Sequence, residues 1–369
     1  SRDKLTDLVP LQWSAKGVVI TQYDKDDLET LGLVKMDLLG LRILSAIEDT
    51  VRALAKNGVN LDIAKVPLDD GKTYALLQST RTVGVFQLES PGMRELLGRL
   101  QPSVFADVMA NIALFRPGPM QANMIAPFLA RRHGLETPDY AHPCLIPVLE
   151  ETYGVIVFQE QVLQVAAHMG KFSLGQGDIL RRTMTKDCPP QRMQELESAF
   201  VQGAASQGVS EEAARRVFGQ LSAFAAYGFN KAHAATFGLI AYHTAYLKAH
   251  FPAHFYAGLL NHQPMGFYPA NTVLHDARNM GLKILPPCLF DGDYAWRAED
   301  SSVRMGLKDI SGMNQEHYEA VVSARGHTLR NMPDMLRKMP LPKKLWQNLV
   351  DCGALRSEEH TSELQSRHN

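Results

Sequence analysis

Three stretches of this chain place charged residues where a phosphate or a divalent cation could be handled. Residues 31–42, LGLVKMDLLGLR, set Lys35 and Asp37 two positions apart among apolar neighbours. An ionised carboxylate in apolar surroundings is costly without a partner or a metal. Strand side chains alternate between faces, so a strand over residues 31–39 puts Lys35 and Asp37 on one side. That side offers a carboxylate for Mg²⁺ and a cation for phosphate, the pair that phosphoryl transfer uses. The plainer alternative is a Lys–Asp pair on a solvated sheet face.

In residues 173–187, SLGQGDILRRTMTKD, Gly175 and Gly177 predict a flexible turn, and the helix after it carries Arg181, Arg182 and Lys186. Arg182 and Lys186 share a helix face, and such a cluster can grip a triphosphate, Arg by its planar fork and Lys as a point charge. The alternative is a solvated helix in which Asp178 pairs with Arg182. Residues 227–237, YGFNKAHAATF, begin a third candidate. Asn230 is a good N-cap, so backbone amides with Lys231 and His233 at a helix start suit an anion, while Tyr227 and Phe229 have rings that can stack on a base. The alternative is that both aromatics are core. His233, His243, His250, His254 and His262 suggest a metal, but Pro252 between His250 and His254 breaks the helical spacing of a zinc pair. Asp24 and Asp26 sit in a polar stretch where Asp is favoured for bonds to its own backbone, and no metal is assigned to them.

The elements that must position these residues are readable in outline. Residues 18–23 predict a strand, 24–27 a polar turn and 31–39 a second strand closed by Gly40; Leu41, Leu44, Ile47, Val51 and Leu54 then mark an amphipathic helix ending near Asn57 and Gly58. Residues 70–290 read as mostly helical, punctuated by Pro and Gly. In residues 303–355, Gly-bearing turns at Gly312 and Gly353 adjoin helices over 313–325 and 345–350, a pattern compatible with paired helix-hairpin-helix units. The fold class expected is α+β, predominantly α.

A net charge of -1 advertises no global field for nucleic acid, so any such binding must come from local patches. Cys144, Cys188, Cys288 and Cys352 form no CxxC pair, which fits reduced thiols better than a disulfide framework or zinc. The apolar run 236–247 is interrupted by Gly238 and His243 and is too short for a bilayer; with no signal peptide at the start, a cytoplasmic location is expected. The chain opens at Ser1 in what reads as the middle of a domain. Residues 356–369 lose all apolar periodicity, resemble a translated sequencing adapter, and are expected to pack against nothing.

The ordered set VVITQYDKDD, LVKMDLLGLR, GVFQLES, ALFRPGP, TYGVIVFQEQV, DILRRTMTK, YGFNKAHAATF and MGLKILPP closely resembles the C-family bacterial DNA polymerases over residues 8–355. The resemblance implies that residues 1–60 are the C-terminal part of a nucleotidyltransferase-type palm, 61–297 the fingers and 298–355 a tandem helix-hairpin-helix DNA-binding region. It makes Asp37 the third of three catalytic aspartates and a metal ligand, with Lys35 beside it. Arg181, Arg182 and Lys186 match the family's triphosphate-holding motif, and Asn230, Lys231 and His233 fall near the incoming nucleotide. Arg116, Tyr227, Phe229, Lys308 and Gly312 become candidate DNA contacts. Two Mg²⁺ ions, primer–template DNA, dNTPs, a sliding clamp and other replisome subunits in a bacterial cytoplasm are implied for the intact enzyme, and no membrane. The family's first two aspartates lie upstream of these motifs, so the chain by itself is expected to be inactive. The rival reading is a non-catalytic helical nucleic-acid-binding or scaffold protein. LVKMDLLGLR and LFRPGP look like the main replicative type, whereas NHQPMGFYPA is similar to the error-prone repair type.

Overall fold

The computed structural model describes residues 3–116, 123–185, 189–225, 229–266, 268–325 and 332–355. The chain divides into two compact units, Ser1–Arg42 and the remainder from Ile43.

In the first unit, β1 (Leu11–Trp13) and β2 (Val19–Thr21) form an antiparallel hairpin with Gln12 opposite Ile20. The polar turn expected over residues 24–27 is instead the start of a helix, Lys25–Thr30. Asp24 accepts from the backbone N–H of Asp26 and Asp27, and a bond that stabilises a turn is also the bond that caps a helix. The helix stops at Gly32, whose positive φ of 73° lets Leu33 N–H return to Leu28 O. The second strand expected over residues 31–39 does not form; residues 33–41 carry no regular structure. A strand exists through its ladder bonds, and among the described residues β1 and β2 spend theirs on each other.

The second unit opens with the expected amphipathic helix, Arg42–Lys56, but its buried stripe is Ile43, Ala46, Ile47, Thr50 and Leu54, while Leu44 is 49% exposed. Close approach of a neighbouring helix, Pro252–Asn261, selects this face. A Cβ on its Gly258 would stand 2.5 Å from Thr50 Oγ1 and 2.8 Å from Ala46 O, so small residues rather than large apolar ones set the seam.

Two helical cores follow. One gathers Leu77, Leu97, Val108 and Tyr242 from Gly71–Gln78, Pro91–Leu100, Phe105–Leu114 and the long helix Lys231–His250. The other gathers Val162, Leu180, Phe200 and Leu221 from Gln159–His168, Leu174–Thr185, Pro190–Ala205 and Glu211–Ala225. In this second core the backbones nearly touch: a Cβ on Gly203 would lie 1.8 Å from Gly170 O, whereas one on Gly219 would meet nothing within 4 Å. Gly203→Ala is therefore expected to lose about 1–3 kcal/mol or more by overpacking. Gly219→Ala, in the middle of its helix, should gain up to about 1 kcal/mol. Urea unfolding of the two variants checks the contrast, and equal midpoints would refute this packing.

A three-stranded sheet with order β3-β5-β4 precedes the last helices: β3 (Lys283–Leu285) is parallel to β5 (Ser302–Arg304), which is antiparallel to β4 (Arg297–Glu299). A third core of Leu307, Val321, Met339, Trp346 and Leu349 unites helices Gln315–Arg325, Met332–Lys338 and Lys343–Asp351. The predominantly helical α+β class is thus observed.

A polar network lies inside the unit. Lys248 Nζ donates to Arg81 O (2.7 Å), Val83 O (2.8 Å) and Asp276 Oδ2 (2.6 Å), and Tyr256 OH donates to the same carboxylate oxygen. Tyr268 OH donates to Glu89 Oε1 at 2.9 Å and accepts from Gly84 N–H at 3.1 Å. Burial pushes the Glu89 carboxyl up to about 7, against the opposing pull of Tyr268, Lys248 and Arg94. A carboxyl with a raised folded-state pKa contributes stability that is fully present below its unfolded value and lost as pH rises through about 7. Glu89→Gln, which cannot ionise, should flatten that fall between pH 4.5 and about 7. Unfolding free energies across this window test the point; unchanged pH dependence would count against a half-buried Glu89 that titrates near 7.

Candidate functional site

In the first unit, Lys35 Nζ and Asp37 Oδ1 form an ion pair of 3.1 Å with side chains 59% and 84% exposed. The two residues do meet, as the spacing suggested, but in a segment without regular structure rather than by strand alternation.

The helix Leu174–Thr185 begins with a reciprocal cap: Gln176 N–H donates to Ser173 Oγ (3.3 Å), and Ser173 N–H donates to Gln176 Oε1 (2.9 Å). That cap pulls Gly175 and Gly177 into the helix, so the flexible turn expected of them is not formed. Arg181 Nε and Nη2 both donate to Asp178 Oδ1, at 3.1 and 2.9 Å. The Arg182 side chain and Lys186 lie outside the described residues.

Asn230 is the N-cap of Lys231–His250, accepting from His233 N–H at 2.8 Å, as its residue type predicted. The helix N-terminus is already occupied by an acid from another helix start. Glu160 takes Asn230 Nδ2–H on Oε1 (2.7 Å) and Lys231 N–H on Oε2 (2.9 Å). Lys231 Nζ is held by both Glu151 oxygens at 2.7 Å. A phosphate can meet these donors only by displacing the carboxylates. The sequence reading missed Glu160; its signal is an acid in the first turn of Gln159–His168, whose amide Gln159 N–H is tied to Phe229 O at 2.9 Å. Phe229 is a core side chain, 8% exposed, with the His233 ring at 5.2 Å and the Arg116 guanidinium 4.7 Å above it. Arg116, Phe229, Asn230, Lys231 and His233 are thus brought together, while Arg181 sits on a separate helix. Tyr227 lies outside the described residues.

Lys308 is half-buried, donates to Asn261 O at 2.9 Å, and has its ammonium pushed down by burial against the pull of Asp309 and Asp49. Gly312, at φ 89°, makes the turn before Gln315–Arg325; Ser311 O there accepts from Asn348 Nδ2–H of the last helix at 2.6 Å. Pro252 opens a new helix, so His250 and His254 belong to different helices. His250 pairs with Asp70 (2.9 Å), His254 with Asn57 (2.9 Å) and His262 with Asp49 (2.7 Å). Among the described residues no three His, Cys, Asp or Glu side chains cluster as metal ligands, Cys144, Cys288 and Cys352 are free thiols, and no helix is long and apolar enough to cross a membrane.

Comparison with known proteins decides what this frame is. Residues 43–208 match the bacterial DNA polymerase III alpha subunit finger domain, residues 1–40 the bacterial DNA polymerase III alpha NTPase domain and residues 281–364 a helix-hairpin-helix motif. The DNA polymerase III subunit alpha of Escherichia coli K12 is 41% identical over 95% of this chain and 32% of its own length. The chain belongs to the bacterial DNA polymerase III alpha family. An error-prone DNA polymerase of Symbiobacterium thermophilum is 40% identical over 96% of the chain and 35% of its own length, and the Thermus aquaticus DNA polymerase III subunit alpha 40% over 96% and 30%. Within this DNA polymerase III alpha family, the chain spans about a third of the length of these relatives.

Proposed function

We propose that these residues serve a DNA-directed DNA polymerase that transfers a nucleotidyl group from a dNTP to a primer 3′ hydroxyl. Residues 1–60 would end its palm, 61–297 form its fingers and 298–355 its helix-hairpin-helix region. The observation carrying this reading is that NTPase-domain, finger and helix-hairpin-helix matches follow one another along a single chain. In this proposal Asp37 supplies a carboxylate for Mg²⁺ beside Lys35, and Arg181, Arg182 and Lys186 hold the triphosphate with Asn230, Lys231 and His233 nearby. Arg116, Tyr227, Phe229, Lys308 and Gly312 serve the DNA. A sliding clamp, other replisome subunits and a bacterial cytoplasm belong to the same proposal.

A divalent cation of this type takes several oxygen ligands in a near-octahedral set. The described residues around Asp37 offer one carboxylate already paired to Lys35, and no cluster of three acids or histidines. They do not by themselves fit a two-ion site.

Primer extension tests the reading. The full-length parent, given primer–template and four dNTPs, should incorporate nucleotides in template order; a parent that binds DNA but incorporates nothing would favour the non-catalytic alternative. The 369-residue chain alone should extend nothing.

A further inference from the structure

Gln161, in the segment TYGVIVFQEQV, is 1% exposed and uses its whole amide group. Its Oε1 accepts from Val157 N–H (2.8 Å) and Phe158 N–H (3.0 Å), and its Nε2 donates to Val148 O (3.2 Å) and Thr152 Oγ1 (2.8 Å). One buried side chain thereby ties the short turn Glu150–Thr152 to the start of helix Gln159–His168, and so fixes Glu151 relative to Glu160. A satisfied buried amide holds such a geometry firmly, because other arrangements leave its donors and acceptors unpaired.

Both carboxylates reach across the boundary between the two helical cores. Helix Gln159–His168 belongs to the second core and Lys231–His250 to the first. Between them, Phe158 and Phe229 form a parallel β-bridge with the Gln159 N–H bond to Phe229 O. Glu160 then takes the Asn230 side-chain amide and the Lys231 backbone N–H, and Glu151 takes the Lys231 ammonium on both oxygens. The single ammonium of residue 231 is thus already compensated, and a phosphate gains it only by displacing Glu151. The residues assigned above to the nucleotide are divided in the same way: Arg181 and Arg182 lie on helix Leu174–Thr185 of the second core, Asn230 and His233 at the helix start of the first. One nucleotide can engage both groups only if the cores are held in register.

We infer that Glu151 and Glu160 are positioning residues that clamp the start of Lys231–His250 to the second core, and that Lys231 is the strut of this clamp rather than a ligand of the triphosphate. The inference rests on the polymerase reading, since the register of the cores matters to chemistry only if a nucleotide spans them. Glu151 and Lys231 keep 43% and 39% of their side chains exposed, and exposed pairs contribute little to stability, so the effect is sought in kinetics.

Steady-state extension by the full-length parent separates a strut from a ligand. For a strut, Glu151→Gln and Lys231→Met are equivalent: each should raise the KM for dNTP about three- to tenfold with a smaller fall in kcat, and the double variant should be no worse than either alone. For a ligand they are opposite, because Glu151→Gln frees the ammonium for phosphate and lowers KM while Lys231→Met raises it. Opposite signs, additive effects or unchanged KM would overturn the inference and leave the polymerase reading standing; a parent that extends nothing would remove that reading and the inference with it. The clamp itself is measured in the 369-residue chain without nucleotide, by amide hydrogen exchange. In Glu160→Ala the Lys231 amide should exchange about tenfold faster while amides inside Gln159–His168 keep their rates. Unchanged exchange at Lys231, or acceleration throughout both helices, would show that Glu160 does not act at this junction and would overturn the proposal.

Discussion

Asp37→Asn in the full-length parent is expected to lower turnover by on the order of 10²–10³-fold, the range seen when one group that stabilises developing charge is removed. Fold and primer–template affinity should stay unchanged. The side chain is 84% exposed and, among the described residues, pairs with Lys35 at 3.1 Å, so the substitution strands no buried charge and opens no cavity. Asn has nearly the same shape as Asp but lacks the charge a cation needs. Arg182→Ala should behave differently, raising the KM for dNTP more than it lowers kcat, because it removes a group proposed to grip the triphosphate in ground and transition states alike. Steady-state extension with both variants separates the roles. Normal turnover by Asp37→Asn would remove Asp37 from the chemistry.

Local signals were legible where a single side chain meets its own backbone. The N-cap at Asn230, the Asp24 bonds and the break at Pro252 each depend on residues a few positions apart. Readings that needed a distant partner fared differently. The apolar run at 31–39 had strand-like alternation, yet residues 33–41 form no ladder among the described residues. On Arg42–Lys56 periodicity named Ile47 and Leu54, which are buried, but also Leu44, which is exposed, and it missed Ala46 and Thr50, buried for their smallness, a property visible only once Gly258 is known to face them. Glycine content misled at residues 175 and 177 because the cap between Ser173 and Gln176 outweighs the modest helix penalty of glycine. At the candidate site, basic residues stood out in sequence, but the carboxylates of Glu160 and Glu151 that occupy their donors came from elsewhere in the chain. Charge complementarity across tens of residues leaves no periodic trace.

Lys248 is the sharpest case of a residue whose role the sequence hid: it stands in the last turn of Lys231–His250, yet its side chain is 0% exposed. Burial pushes its ammonium down, and Asp276 and Glu89 pull it back. Lys248→Met keeps the apolar stem but removes three hydrogen bonds at once, to Arg81 O, Val83 O and Asp276. It leaves the Asp276 carboxylate buried with Tyr256 as its remaining donor among the described residues. Breaking a buried pair by deleting one partner typically costs about 3–5 kcal/mol, because the surviving charge is uncompensated. That loss is a sizeable part of the roughly 5–15 kcal/mol that hold a domain folded. If the stranded charge is the cause, adding Asp276→Asn should recover part of the loss, since the side-chain amide keeps an acceptor for Tyr256 and carries no charge. A double variant more stable than Lys248→Met in urea unfolding supports this account. If the second substitution destabilises further, the pair's role is packing rather than charge compensation.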